Sequence, residues 1–418
     1  MKRNLLTITS ILILAVVLGM FLSGCGKQSN PAVDDFGATS EGVNTIADAN
    51  NQFAFELYNK YKSEESNIFF SPYSISTSLA MTYDGAKGKT AEEMQSVFHI
   101  PEDANIRRSN FAKIYNEINK KGKKYKLSTA NALWAQENYK FLEEYTSTVE
   151  KYYGGKVTNL DFVREGEKSR LTINTWVEEQ TNNKIKDLIP SGAINPDTRL
   201  VLTNAIYFKG EWAKQFNKRD TEEQNFRVTP NNNVKISMMQ RTDDKAKFNY
   251  AETDELQILE LPYSGEELSM LILLPKNSGL ASLENSLTAK QLSKWKESLK
   301  ERRVNVFIPK FKFETKYFMA ETLQEMGIPT AFSDRADFSG MTGKKDLKID
   351  EVIHQAFVEV NEEGTEAAAA TAVSIGITSV SPKPIIPTFR ADHPFIFIIR
   401  QKDTGNILFL GRVSNPSK

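Results

Sequence analysis

Side chains able to do chemistry are few in this chain and far apart. One cysteine, Cys25, and three histidines, His99, His354 and His393, are all it offers for thiol, imidazole or metal chemistry. The histidines lack the short spacing that sets two ligands side by side, so no metal site is expected. No serine sits in a G-x-S-x-G elbow, and no H-E-x-x-H, P-loop or post-strand G-x-G-x-x-G occurs. No enzyme and no cofactor are therefore expected; a hydrolase built from scattered residues would show as a pocket around a pKa-shifted His354. What remains is conformational chemistry near the C-terminus, in Glu362-Glu363-Gly364-Thr365-Glu366-Ala367-Ala368-Ala369-Ala370-Thr371-Ala372. The alanines favour helix, yet Phe357-Val358-Glu359-Val360 just before them alternates like a strand. A local preference at odds with its flank marks a candidate switch element. Read as a strand, it turns Thr365, Ala367, Ala369, Thr371, Val373 and Ile375 to one face without a charge, and Glu366 to the other. Gly364 gives the chain freedom to turn where the segment starts.

The rest of the chain bounds the setting. With 418 residues, 40% hydrophobic and 25% charged, it is long enough for one large domain or two medium ones. Lys+Arg and Asp+Glu both number 53, so there is no basic excess for nucleic acid. Lys2-Arg3, an apolar run from Ile11 to Leu22 and Leu22-Ser23-Gly24-Cys25 read as a secretory signal over residues 1–24. LSGC resembles the bacterial lipobox, which implies cleavage before Cys25 and lipid on its sulfur. The expected location is the cell envelope, lipid-anchored on the extracytoplasmic side of the membrane. Residues 25–43 hold the lipidated cysteine and a Ser-, Asn-, Asp- and Gly-rich flexible tether, whose random-coil reach is about 20 to 25 Å. Residues 44–418 then form one domain, with no repeat or second linker, expected as a monomer.

Phe53, Leu57 and Tyr61 share a helical stripe that Asp48 or Asn50 could start, and Ile75, Leu79 and Thr82 suggest a helix after Ser71-Pro72. Leu200–Leu202, Ala205–Phe208, Ser269–Leu274, Val304–Ile308 and Phe395–Ile399 read as strands, the last apolar on both faces and hence central. Helices come mainly early and strands mainly late, which favours an α+β fold.

Six stretches carry a family resemblance. NIFFSPYSISTSLAMTYDGAKGKTAEEM (Asn67 to Met94), LTNAIYFKGEW (Leu202 to Trp212), VNVFIPKFKFE (Val304 to Glu314), ADFSGM (Ala336 to Met341), the EEGTEAAAATAV hinge and FRADHPFIFIIR (Phe389 to Arg400) resemble serpin segments, in serpin order. The resemblance implies the serpin fold, helices on large, mostly antiparallel sheets with an exposed reactive loop. It also implies suicide inhibition: a target protease cuts the loop, which then inserts into the central sheet and traps the acyl-enzyme. Serpin loop insertion is a known instance of strand addition and of release of stored strain. The hinge would be Glu362, Gly364, Thr365, Glu366, Ala367, Ala368, Ala369 and Ala370. Counting seventeen residues from Glu362, as in inhibitory relatives, puts the reactive bond between Thr378 and Ser379, with Ile377-Thr378 next in preference. Between Ser379 and His393-Pro394 the chain is longer than in many relatives, with an inserted-looking Ser381–Pro387. Counting back from His393-Pro394 instead points to Lys383-Pro384, a poor protease bond because proline has no N–H. Neutral residues at the bond suit elastase-like or subtilisin-like serine proteases, or papain-like cysteine proteases. Ser71, Ser74, Asn204 and His354 resemble the polar cluster beneath the opening strands, and Trp212 the tryptophan where insertion begins; each could equally be a satisfied core residue. Lys120–Lys126 is the densest basic run, read as a solvated loop rather than a polyanion site. The alternative to an inhibitor is a non-inhibitory serpin that binds or chaperones a partner.

Overall fold

A buried helix begins at Ser71-Pro72 in the computed structural model, which describes residues 32–120, 122–276, 279–365 and 385–418. In chain order the elements are α1 (Ser40–Tyr61), β1 (Ile68–Phe70), α2 (Pro72–Tyr83), α3 (Gly88–Phe98), α4 (Ala104–Asn119), β2 (Tyr125–Gln136), α5 (Glu143–Tyr153), β3 (Lys156–Leu160), α6 (Gly166–Gln180) and β4 (Leu200–Glu211). Then come β5 (Glu222–Thr229), β6 (Asn232–Arg241), β7 (Lys247–Glu252), β8 (Leu256–Pro262), β9 (Leu268–Pro275), α7 (Gly279–Ser286), α8 (Ala289–Glu297), β10 (Lys300–Arg303), β11 (Asn305–Pro309) and β12 (Phe311–Phe318). The last are α9 (Ala320–Met326), α10 (Ser339–Thr342), β13 (Glu351–Asn361), β14 (Gly364–Thr365), β15 (Thr388–Arg390), β16 (Phe395–Gln401) and β17 (Ile407–Val413). The fold is α+β, as its sequence pattern indicates.

Ser71 caps α2 by accepting the Ser74 N–H at 3.1 Å, and Pro72 occupies the first turn, where a missing N–H does no harm. Every residue of α2 is buried. Most of its polar side chains find partners there: the Thr77 hydroxyl donates to the Tyr73 carbonyl and that of Thr82 to the Ser78 carbonyl, while those of Ser74 and Ser76 donate to the side-chain oxygens of Asn131 and Asn50.

The strands form three sheets, and α2 packs against β4 and β2 of one and β17 of another. A six-stranded sheet has the order β12-β13-β14-β4-β2-β3, a seven-stranded one β1-β17-β16-β9-β8-β7-β10, and a four-stranded one β15-β11-β6-β5. β16 lies between β17 and β9 with all seven residues buried, the central position its two apolar faces require. The main core joins the six- and seven-stranded sheets to the helices. A second core, built from Ile173 and Val177 of α6, Ile185, Leu188 and Ile189 of the linker after it, and Val201, Tyr207, Ile353 and Phe357, covers the six-stranded sheet's other face.

Three expectations need correction. The packed unit begins at Val33, not at residue 44, and α1 begins at Ser40 with Thr39 as its cap, not near Asp48 or Asn50. The Val33 backbone exchanges two hydrogen bonds with the Asn116 amide, at 2.9 and 2.8 Å, and Asp34 pairs with Lys151 at 3.0 Å. Gly42 resembled a linker glycine but marks a close approach: a Cβ there would lie 2.2 Å from the Asn110 amide nitrogen. Asn50 instead lies mid-helix and ties α1 to Asn406 and Ile407. Leu200–Leu202 and Ala205–Phe208 also prove to be one strand, β4; the intervening Thr203 and Asn204 are polar because each serves a buried hydrogen bond. Among the described residues no helix is long and apolar enough to cross a membrane.

Candidate functional site

The six-stranded sheet contains a fork. β13 and β4 run parallel and pair from Glu351–Val201 up to Phe357–Tyr207. Beyond that rung they part, and β14 lies between them, antiparallel to both: Thr365 opposite Val360 and Gly210, Gly364 opposite Asn361 and Glu211. The chain thus leaves β13, turns through Glu362-Glu363 and re-enters its own sheet.

The turn is held from several sides. The Asn361 side-chain oxygen accepts the N–H groups of Glu363 and Gly364, at 3.0 and 3.3 Å. The backbone N–H of Trp212 donates to the Glu363 carbonyl and that of Phe216 to the Glu362 carbonyl, both at 2.8 Å. Gly364 has a φ of 156°, and a Cβ there would lie 2.1 Å from the Gly210 carbonyl oxygen, so only glycine fits against β4. Thr365 is 1% exposed and its hydroxyl lies 2.7 Å from that of Tyr263. The Trp212 indole stacks on the Tyr263 ring at 4.6 Å between centroids and donates its N–H to the Asn361 carbonyl at 3.0 Å.

Glu362 and Glu363 are buried with their charges paired. Lys310 approaches Glu362 at 2.9 Å, the Thr221 hydroxyl donates to it at 2.8 Å, and Lys218 reaches Glu363 at 2.6 Å. Burial pushes the Glu362 carboxyl up, but hydrogen bonds from Lys310, the backbone and Thr221 outweigh it and leave the group below its usual range.

Lower in the sheet, a polar row crosses three strands. His354 of β13 stands beside Asn204 of β4, which stands beside Asn131 of β2. The Ser71 N–H donates to His354 Nε2 at 3.1 Å, so the ring proton sits on Nδ1, which donates to the Asn204 side-chain oxygen. The Asn204 amide in turn donates to Ser74 and Asn131, and the Ser71 hydroxyl to the Leu408 carbonyl. Burial lowers the His354 pKa to about 3, so the ring is neutral and sealed from any substrate.

The structure therefore brings Ser71, Ser74, Asn204 and His354 into one cluster, and Trp212, Glu362, Gly364 and Thr365 into another at the fork. Glu366, Ala367, Ala368, Ala369, Ala370, the bond residues Thr378 and Ser379, and Cys25 lie outside the described residues. Sequence reasoning missed Asn131, Tyr263, Asn361, Lys218 and Lys310. Asn131 had a signal, a lone amide between Ala130 and Ala132; the lysines had none. In the basic run, Lys123 pairs with Glu267, while Lys120, Lys124 and Lys126 are exposed.

Residues 48–416 match the model of the serpin (serine protease inhibitor) family. The chain belongs to the serpin family. A serpin-like protein of Methanosarcina acetivorans is 47% identical over 89% of this chain and 86% of its own. Leukocyte elastase inhibitor A of Rattus norvegicus is 42% identical over 89% of this chain and 99% of its own. Among solved structures, human thyroxine-binding globulin superposes with a TM-score of 0.82 at 30% identity, covering 90% of this chain and all of that one. The serpin fold supports a protease-inhibitory mechanism in general, one that works by conformation and not by catalysis.

Proposed function

We propose that this serpin is a suicide-type protease inhibitor, held at the cell envelope by lipid on Cys25. The observation that carries the reading is the fork: the loop's first residues already lie between β4 and β13. In this reading a protease hydroxyl or thiol attacks the Thr378 carbonyl, forms an ester or thioester, and releases the Ser379 amine. The freed loop then zips into the sheet behind Thr365 as β4 and β13 separate.

The inward-facing set from Thr365 to Ile375 suits entry because it carries no charge to bury. Each new rung contributes ~1 kcal/mol of net hydrogen bonding, and burial of Val373 or Ile375 ~1.5 to 3, on the order of 15 kcal/mol in all. Thr365 to Thr378 spans about 45 to 50 Å when extended at ~3.3 Å per residue. A domain of this size is about 55 Å across. Full insertion would carry an attached protease from one pole to the other. Neutral residues at the bond, together with similarity to a leukocyte elastase inhibitor, favour an elastase-like or subtilisin-like target.

Incubation of the protein with elastase and subtilisin tests this. The expected result is a complex that survives a denaturing gel, with a released peptide starting at Ser379. The second reading, a non-inhibitory binding protein, is favoured by similarity to thyroxine-binding globulin, and it expects loop cleavage with no complex and no gain in heat stability.

A further inference from the structure

The docking of residues 33–39 changes what a lipid on Cys25 would do to the domain. Val33 clusters with Ala112 and Tyr115 of α4, Asp35 pairs with Lys113 at 3.6 Å, and Thr39 donates its N–H to the Asn110 side chain at 3.0 Å. The segment is thus a strap that runs back along α4 from near its C-terminal end, with Asp34 reaching across to Lys151 of α5 at 3.0 Å. At its bend the Asp35 carbonyl accepts the Ala38 N–H at 3.1 Å, and the Asp34 side chain accepts the Phe36 N–H at 3.0 Å. On this fixed backbone the Phe36 side chain stands 92% exposed.

Covalent reach decides how an anchored domain can lie. Loose chain from Cys25 to Val43 would have eighteen peptide steps and a limit of about 60 to 65 Å at ~3.3 to 3.6 Å each. That exceeds the width of the domain, about 55 Å, and would let any face touch the membrane. With Val33 held by Asn116, eight steps remain, with a limit of about 26 to 29 Å. A face on the opposite side of the domain from Val33 is then out of reach.

We propose that the face of α4 and α5 that carries this strap lies on the membrane, with the Phe36 ring in the interfacial layer of the phospholipid. This rests on the lipid-anchor reading above. An exposed aromatic ring gains by leaving water for the boundary between headgroups and acyl chains. One ring alone binds a bilayer weakly. A short tether raises its effective concentration at the surface to about the millimolar range, so a weak contact becomes the prevailing one. Charge adds little, because Lys151 pairs with Asp34, Lys113 with Asp35 and Lys123 with Glu267. The partner that fits is therefore a phospholipid surface as such, not a polyanion. In this pose α6, on the other face of the six-stranded sheet, points away from the membrane.

The test places the full lipidated chain in phosphatidylcholine vesicles whose headgroups carry a quencher. With the Cys25 sulfur occupied by lipid, one new thiol takes a fluorophore: Lys120→Cys, exposed one turn past Asn116, or Leu171→Cys, 50% exposed on α6. The expected result is quenching at 120 roughly fivefold stronger than at 171, the bias that half-burying one aromatic ring yields. Phe36→Ser, which removes the ring, and Asn116→Ala, which frees Val33, should each bring the ratio towards one; melting checks that both variants fold. Vesicle-bound protein quenched equally at the two positions overturns the oriented face while leaving the anchor intact. Protein that stays in the aqueous phase, with an unmodified Cys25 by mass spectrometry, overturns the anchor, and the orientation falls with it. Sedimentation of Cys25→Ser as a dimer that Phe36→Ser dissolves would assign the ring to a second copy of the chain and also overturn the membrane face.

Discussion

His354 joins β13 to β4 with both ring nitrogens engaged, and the neutral ring has a consequence for acid stability. In the unfolded chain the imidazole takes a proton near pH 6.5; in the fold it does so only near 3. Above pH 6.5 the two states hold the same number of protons on this residue. As pH falls from 6.5 towards 3 the unfolded state binds one more, so stability drops by about 1.4 kcal/mol per pH unit. Urea unfolding between pH 5 and 6.5 should therefore show a flatter slope in His354→Gln than in the wild type; parallel slopes would contradict a neutral seam histidine. Lys310 offers a second test. Lys310→Met leaves the Glu362 carboxylate buried with only the Thr221 hydroxyl and a backbone N–H, with an expected loss of about 1 to 2 kcal/mol, less than for a fully buried pair because Lys310 is 40% exposed. Adding Glu362→Gln should recover part of it in a double-mutant cycle. Independent losses from the two substitutions would mean that the pair contributes nothing.

At the scale of elements, the two-residue β14 decides whether the loop is poised or free. Gly364→Ala would drive a methyl into the Gly210 carbonyl, so β14 should leave the fork. The expected outcome is that the ratio of loop cleavage to trapping rises about tenfold, the factor that ~1.4 kcal/mol of strain produces. Unchanged trapping would mean that the fork is incidental. Much of this architecture could be read beforehand. The cap at Ser71, the buried β16 and the turn at Gly364 each advertise themselves through local pattern, because local chemistry makes them. The pairs that clasp the hinge do not: Lys310 is 52 residues from Glu362, and nothing near either announces a partner. Residues 33–42 misled for the reverse reason. Small polar residues serve loose chain and close packing alike, and only the neighbouring Asn110 and Asn116 decide between them.

For the whole molecule, the proposed anchor predicts that the protein partitions into detergent and that Cys25→Ser moves it to the aqueous phase while inhibition in solution is kept. Partition unaffected by the substitution would remove Cys25 from the account of location. The fork has a further consequence, for how the molecule is made. β14 follows β13 after two residues, whereas β13 and β4 meet across 150 residues of chain at the His354–Asn204 rung. Closing a short hairpin is fast, and closing so long a loop is slow. A refolding chain thus runs a race between a nearby partner and a distant one for the same edge of β13, and in the proposed mechanism the loop stays available to a protease only when the distant partner wins. On the proposed mechanism, inhibitory activity would then be a record of folding history, and two samples of identical sequence and identical buffer would differ in it.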